Sequence, residues 1–200
     1  MITLIIGGSG SGKSAYAEKY VLEHAKNLPK YYIATMQIYD AEGVRKVERH
    51  RRLRAGKGFV TIEQPTDIAG AVNKIMTHAA EMKSRENNEI QAITDMHASA
   101  RYGVVLLECM SNLVANEMFS AEAMPETDEV VQRVITGIKA LAQPLDHLVI
   151  VSNNVFEDGI AYDASTLRYI EALGRINTEL ASVADHVTEV VVGIPVTVKG

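Results

Sequence analysis

The sequence has a single cysteine, Cys109, so the chain can form neither an internal disulfide nor a thiolate cage around a metal. That usage suits a reducing compartment, and the bland role for this thiol is a small buried side chain. A run of eighteen apolar residues is missing, and so is a basic leader followed by an apolar stretch and a small-residue cleavage site. The chain therefore reads as cytoplasmic, without a membrane span. There is no cationic excess either: 20 Lys and Arg against 25 Asp and Glu give a formal net charge of −5. That balance speaks against a general role on nucleic acid or a membrane surface. His24, His78, His97, His147 and His186 are scattered without metal-ligand spacing, and no G-x-S-x-G elbow or internal repeat occurs. What is there is 200 residues with 47% apolar content, which fits one domain over residues 1–200 and a sizeable core.

Short β-rich runs alternate with longer helical segments, which predicts an α/β fold with a mainly parallel sheet covered on both faces. Strands are expected at Ile2–Ile6, Tyr31–Thr35, Phe59–Glu63, Val104–Glu108, Leu148–Ser152, Val187–Val192 and Pro195–Lys199. One helix begins at the glycine-rich stretch and another covers Ala41–Arg54. Thr66 or Asp67 can cap a third, with Ile68, Ala71, Val72, Ile75 and Met76 at helical spacing. Val130, Val131, Val134, Ile138 and Leu141 repeat the pattern, as do Leu167, Ile170, Leu173, Ile176 and Leu180, and both stripes are expected to pack into the core. Ser84–Tyr102 turns polar and loses the apolar period.

The stretch GGSGSGKS, residues 7 to 14, satisfies G-x-x-x-x-G-K-[ST] with a strand before it and a helix after it. Gly7, Gly8, Ser9, Gly10, Ser11 and Gly12 form a loop whose backbone N–H groups can converge on phosphate oxygens, aided by the helix N-terminus. Lys13 is expected to neutralise the outer phosphates and Ser14 to ligate Mg2+. The motif does not name the chemistry, because kinases, switches and motors share it. A second acidic group should organise the metal from another strand end, and Glu108 after VVLL is the candidate, although a carboxylate ending a buried strand is also ordinary. Asp40 and Glu42 are further candidates.

An otherwise acidic chain concentrates Arg45, Lys46, Arg49, Arg51, Arg52, Arg54 and Lys57 in one segment around His50. Val44, Val47 and His50 are spaced by threes, which places the imidazole near the apolar stripe. Composition alone reads these residues as a solvated helix face. Chemistry suggests more: a neutral imidazole, with a reference pKa of about 6.5 lowered further by cations, can attack phosphorus without a base.

These stretches, with YIATMQIYDAE followed by VERH, LLECMSNLVAN, VIVSNNV, and GRINTELASVAD with VVVGIPVTVK, resemble the bifunctional adenosylcobinamide kinase and adenosylcobinamide-phosphate guanylyltransferase family of cobalamin biosynthesis. The resemblance covers nearly the whole chain. It implies a RecA-like P-loop fold, ATP and GTP as substrates with Mg2+, a corrinoid acceptor and a homo-oligomer, plausibly a trimer. It further implies phosphorylation of the corrinoid's hydroxyl arm, then GMP transfer through GMP bonded to His50, with Lys13 and Glu108 assisting. The chain departs from the family's usual pattern at Ser9, Gly10 and Ser11, at Gly43, and at Asn154, with Glu157 and Asp158 nearby. A phosphate-loop kinase without guanylyl transfer, or a nucleotide-binding regulatory module, are the alternative readings.

Overall fold

Parallel strands covered on both faces must be apolar at successive positions, and the runs ITLII, VVLLE and HLVIV meet that demand. In the computed structural model, which describes residues 1–38, 41–86, 101–120, 123–156 and 159–200, they become the centre of a seven-stranded sheet. The strands are β1 (Ile2–Gly7), β2 (Lys30–Ala34), β3 (Phe59–Glu63), β4 (Val104–Glu108), β5 (His147–Asn153), β6 (His186–Val191) and β7 (Ile194–Lys199). The helices are α1 (Lys13–Ala25), α2 (Ala41–Arg54), α3 (Ala71–Glu86), α4 (Met110–Phe119), α5 (Thr127–Ala142) and α6 (Ala164–Val183), and a 3-10 turn at Ile68–Gly70 precedes α3.

The order across the sheet is β3-β2-β4-β5-β1-β6-β7. All neighbours are parallel except β6 and β7, which form an antiparallel edge pair. One strand, β5, lies between β1 and β4, the arrangement of the RecA-like P-loop fold that the resemblance implies. Alternate residues feed two cores. Leu4, Ile33, Leu107 and Ile150 pack with α3 to α6, whereas Ile5, Tyr32, Leu106 and Val149 pack with Ala17 and Val21 of α1. The sheet's C-terminal edge is left open between these layers, and ligands bind there in folds of this kind.

Several expectations need correction. Met76, Leu167 and Val44 are 38%, 52% and 41% exposed, so none of the three joins the described core. Asp67 precedes the 3-10 turn without a capping side-chain bond, and its backbone N–H instead donates to Glu117. Cys109 is half-buried rather than enclosed. The stretch 87–100, Asp40, Glu157 and Asp158 lie outside the described residues, as do the side chains of Glu42, Lys46, Arg49 and His50. No helix among the described residues is long and apolar enough to cross a membrane.

Candidate active site

The loop between β1 and α1 is shaped by two glycines for different reasons. Gly12 adopts φ +90° at the helix N-cap, in the left-handed region. A Cβ on Gly7 would lie 2.6 Å from the Val190 carbonyl oxygen and 2.7 Å from Ser11 Oγ, so no side chain fits. The loop is closed by Ser11 N–H donating to the Gly8 carbonyl at 3.2 Å, and it is tied to the β6–β7 turn by Gly193 N–H donating to Ser11 O at 2.8 Å. Lys13 is 8% exposed, and its ammonium donates to Gly8 O at 3.0 Å. Burial lowers its pKa, while the neighbouring Cys109 and Glu108 pull it back up.

Glu108 ends β4 between Ala34 of β2 and Val151 of β5. Tyr32 reaches across from β2 and donates its hydroxyl to Glu108 Oε2 at 3.1 Å. Burial and the Glu108 charge push that phenol well above its ordinary range, so it stays a neutral donor. The Glu108–Cys109 peptide is cis, and Thr35 grips it from both sides. The Thr35 hydroxyl donates to Cys109 O and accepts from Cys109 N–H, each at 2.8 Å. Asn116 of α4 holds Thr35 in turn, donating to its carbonyl at 2.7 Å and to that of Pro65 at 2.8 Å. Ser111 gathers the other side, accepting from Asn153 Nδ2 at 2.7 Å and lying 3.0 Å from Cys109 Sγ.

Two clefts open at this edge. The first, of about 680 Å³, is lined by Ser9, Lys13, Ser14 and Glu108, and by Val47, Arg51 and Arg54 of α2. The second, of about 710 Å³, lies on the opposite flank of the loop, against Gly8, Gly10, Ser11, Tyr169 and Glu189. Ser9 and Asn153 belong to both. The sequence expectations for Lys13, Ser14, Glu108 and the loop thus meet at one place. Tyr32, Thr35, Asn153 and Arg54 were not singled out beforehand. Their partners are far along the chain, and Tyr32 and Arg54 carried no signal beyond being an aromatic in a strand and a cation among cations.

Among the described residues no cluster of His, Cys, Asp and Glu could hold a metal by itself. Ser14 and Glu108 nevertheless present hard oxygen donors to one cleft, which fits Mg2+, an ion that takes few protein ligands and completes its shell with phosphate and water. Arg54 is 7% exposed, and its guanidinium carbon lies 3.5 Å from the centroid of the Tyr32 ring. Its Nε and Nη1 have no hydrogen-bond partner, nor do Ser11 Oγ and Gln64 Oε1. Arg51 donates to Glu63 at 2.6 Å, and Lys57 donates to the buried Glu18 of α1.

Residues 3–83 and 78–198 match the family described as CobU: Cobinamide kinase / cobinamide phosphate guanyltransferase. The chain is similar to the bifunctional adenosylcobalamin biosynthesis protein CobU of Escherichia coli, 29% identical with all of both chains covered. It is also similar to the bifunctional adenosylcobalamin biosynthesis protein CobP of Pseudomonas aeruginosa, 26% identical over 100% of this chain and 98% of that one. Among solved structures, a KaiC-like protein of Pyrococcus horikoshii OT3 aligns with a TM-score of 0.47 and 11% identity, over 94% of this chain and 69% of that one. The flagellar accessory protein FlaH of Methanocaldococcus jannaschii aligns with a TM-score of 0.46 and 12% identity, over 99% and 77%.

Proposed function

The chain belongs to the cobinamide kinase / cobinamide phosphate guanyltransferase family, and from that premise we propose that it carries out both reactions, with His50 as the guanylyl acceptor. In the first, the acceptor hydroxyl of a cobinamide attacks the γ-phosphorus of ATP or GTP, the bond to the β-bridging oxygen breaks, and nucleoside diphosphate leaves as the hydroxyl loses its proton. In the second, a His50 ring nitrogen attacks the α-phosphorus of GTP and pyrophosphate leaves. An oxygen of cobinamide phosphate then attacks the same phosphorus, the P–N bond breaks, and the imidazole is released. Dividing the transfer keeps two bulky anions from having to meet in one step.

The observation that carries this reading is the shared cleft. Ser9 of the phosphate loop, Lys13, Ser14 and Glu108 line it together with Val47, Arg51 and Arg54 of α2. Helical period puts position 50 on the stripe that runs through 47, 51 and 54. Lys13 supplies fixed positive charge where phosphate oxygens gain charge in the transition state. Ser14 and Glu108 would hold Mg2+, which when bound neutralises triphosphate charge. The second cleft gives a second substrate room to approach the loop from the other flank. We further infer a cytoplasmic, single-domain enzyme with small-molecule partners and no nucleic-acid partner. A homo-oligomer, a trimer by the resemblance, is supported by edge strand β7, which exposes Ile194, Val196 and Val198 on one face.

Incubation with α-labelled GTP and Mg2+ should leave an acid-labile, alkali-stable GMP on the protein, seen as added intact mass. His50→Ala should abolish it. Label retained in that variant would sink the assignment of His50, and γ-phosphate transfer without any adduct would leave a kinase alone.

A further inference from the structure

Arg54 closes α2 and stands apart from Arg51 and Arg52 of that helix. Arg52 is exposed and pairs with Glu48 one turn earlier, and Arg51 pairs with Glu63. Arg54 is buried, rests one face on the Tyr32 ring, and keeps Nε and Nη1 unpaired. Carboxylates around it are engaged elsewhere: Glu63 by Arg51, Glu18 by Lys57, and Glu108 by the Tyr32 hydroxyl. A cation taken out of water to this extent loses more than one aromatic face returns, so among the described residues the Arg54 charge lacks its counterpart. The residue also lines the cleft that contains Lys13. A planar fork of N–H donors beside a phosphate loop matches one chemical class above others, the phosphoryl oxyanion.

We propose that Arg54 is an anion anchor of this cleft, receiving a phosphoryl oxyanion across from Lys13 so that the substrate's phosphate is held between α2 and the phosphate loop. The proposal rests on the reading of the cleft as the site of phosphate transfer, but not on His50. The oxyanion has two sources, the nucleoside triphosphate or the phosphate already placed on the acceptor. In both cases the stack on Tyr32 joins the bound anion to the side chain that orients Glu108. Arg54 therefore fixes the phosphate and α2 relative to the strand end that carries the acidic group.

The test uses the full chain with Arg54→Met and Arg54→Lys, calorimetric titration with inorganic pyrophosphate and with GTP, and thermal unfolding. If the triphosphate is the ligand, R54M binds both probes on the order of tenfold or more weaker, the loss expected for a charge-assisted bond. If the phosphorylated acceptor is the ligand, both affinities hold and the KM for cobinamide phosphate rises by a similar factor in the transfer step alone. Either result supports the proposal, the more so if R54M melts no lower than the parent because an uncompensated buried charge has gone. R54K keeps the charge without the fork and should recover part of the affinity; should R54M fail to fold, R54K losing severalfold in one arm carries the test. Unchanged binding of pyrophosphate and GTP together with an unchanged KM for cobinamide phosphate overturns it, whatever the melting temperature does. Absence of the GMP adduct in the parent protein would remove the His50 reading while leaving the pyrophosphate arm intact.

Discussion

The two ends of the sheet bury polar groups on opposite terms. At the N-terminal end no buried side-chain atom of the described residues lacks a partner. The buried His147 lies 2.8 Å from the buried Thr3 hydroxyl, while the half-buried Asp146 and the exposed Asp185 accept the Gly103 and Ile2 N–H groups at 2.9 and 2.7 Å. At the C-terminal end Ser11 Oγ, Gln64 Oε1 and two nitrogens of Arg54 have no partner, and among the described residues these are all the buried side-chain atoms left so. A buried polar atom costs stability unless it is paired. Among the described residues the unpaired buried atoms thus gather at the C-terminal end, where the proposed site lies.

The comparison is broken most severely at Lys13. Lys13→Ala should reduce both kinase and transferase rates by about a hundredfold or more, the scale of losing a fixed charge at a transition state, while unfolding changes little. Steady-state assays beside a melting curve check both halves of that statement.

The opposite end should respond to acid instead. Burial first, and then the nearby N-terminus, His24 and His186, lower the His147 pKa to about 4, with Asp185 opposing. The unfolded imidazole takes its proton near pH 6.5, so unfolding is accompanied by proton uptake between about pH 6.5 and 4. Stability from this group is full above that window, falls as pH drops through it, and changes no further below. The loss is at most about 3 kcal/mol. Denaturant midpoints measured from pH 7 to 4 should show this slope, and His147→Gln should flatten it; an unaltered slope in the variant would assign the acid sensitivity elsewhere.

Smaller effects sharpen the contrast. Gly7→Ala forces a methyl against Val190 O and Ser11 Oγ and should cost about 1–3 kcal/mol by overpacking, with nucleotide affinity falling alongside if the same loop holds phosphate as proposed. Tyr32→Phe removes only the hydroxyl that orients Glu108, and turnover should fall by roughly fivefold, about 1 kcal/mol, with the fold intact. Comparing kcat with KM for Tyr32→Phe separates orientation of the acidic group from substrate binding.

The sheet was legible in the sequence because parallel strands buried on two faces leave runs that little else produces. Phe59–Glu63, Val104–Glu108 and the helix Ala41–Arg54 coincide with their expected limits. Helical spacing says which face of a helix is apolar but not whether another element lies over it, hence the exposed Met76 and Leu167. The loop was legible because Gly7 has no room for a side chain and Gly10 and Gly12 take positive φ, so its sequence is constrained at fixed places. Arg54 was not, because its distinction lies in contacts with a ring twenty-two positions earlier. Thr35 and Asn116 escaped notice for the same reason, clasping a peptide that local patterns do not reveal.

The strand order also governs when the protein can exist at all. β1 is made before both of its partners, β5 and β6, so Ile2 waits for Leu148 and Thr3 for His186. Nascent chains therefore carry a bare, apolar strand with its glycine loop through most of synthesis, a state prone to mispairing. Any truncation before His186 leaves that strand with a raw edge, so β1 is covered on both sides only once β6 has been made.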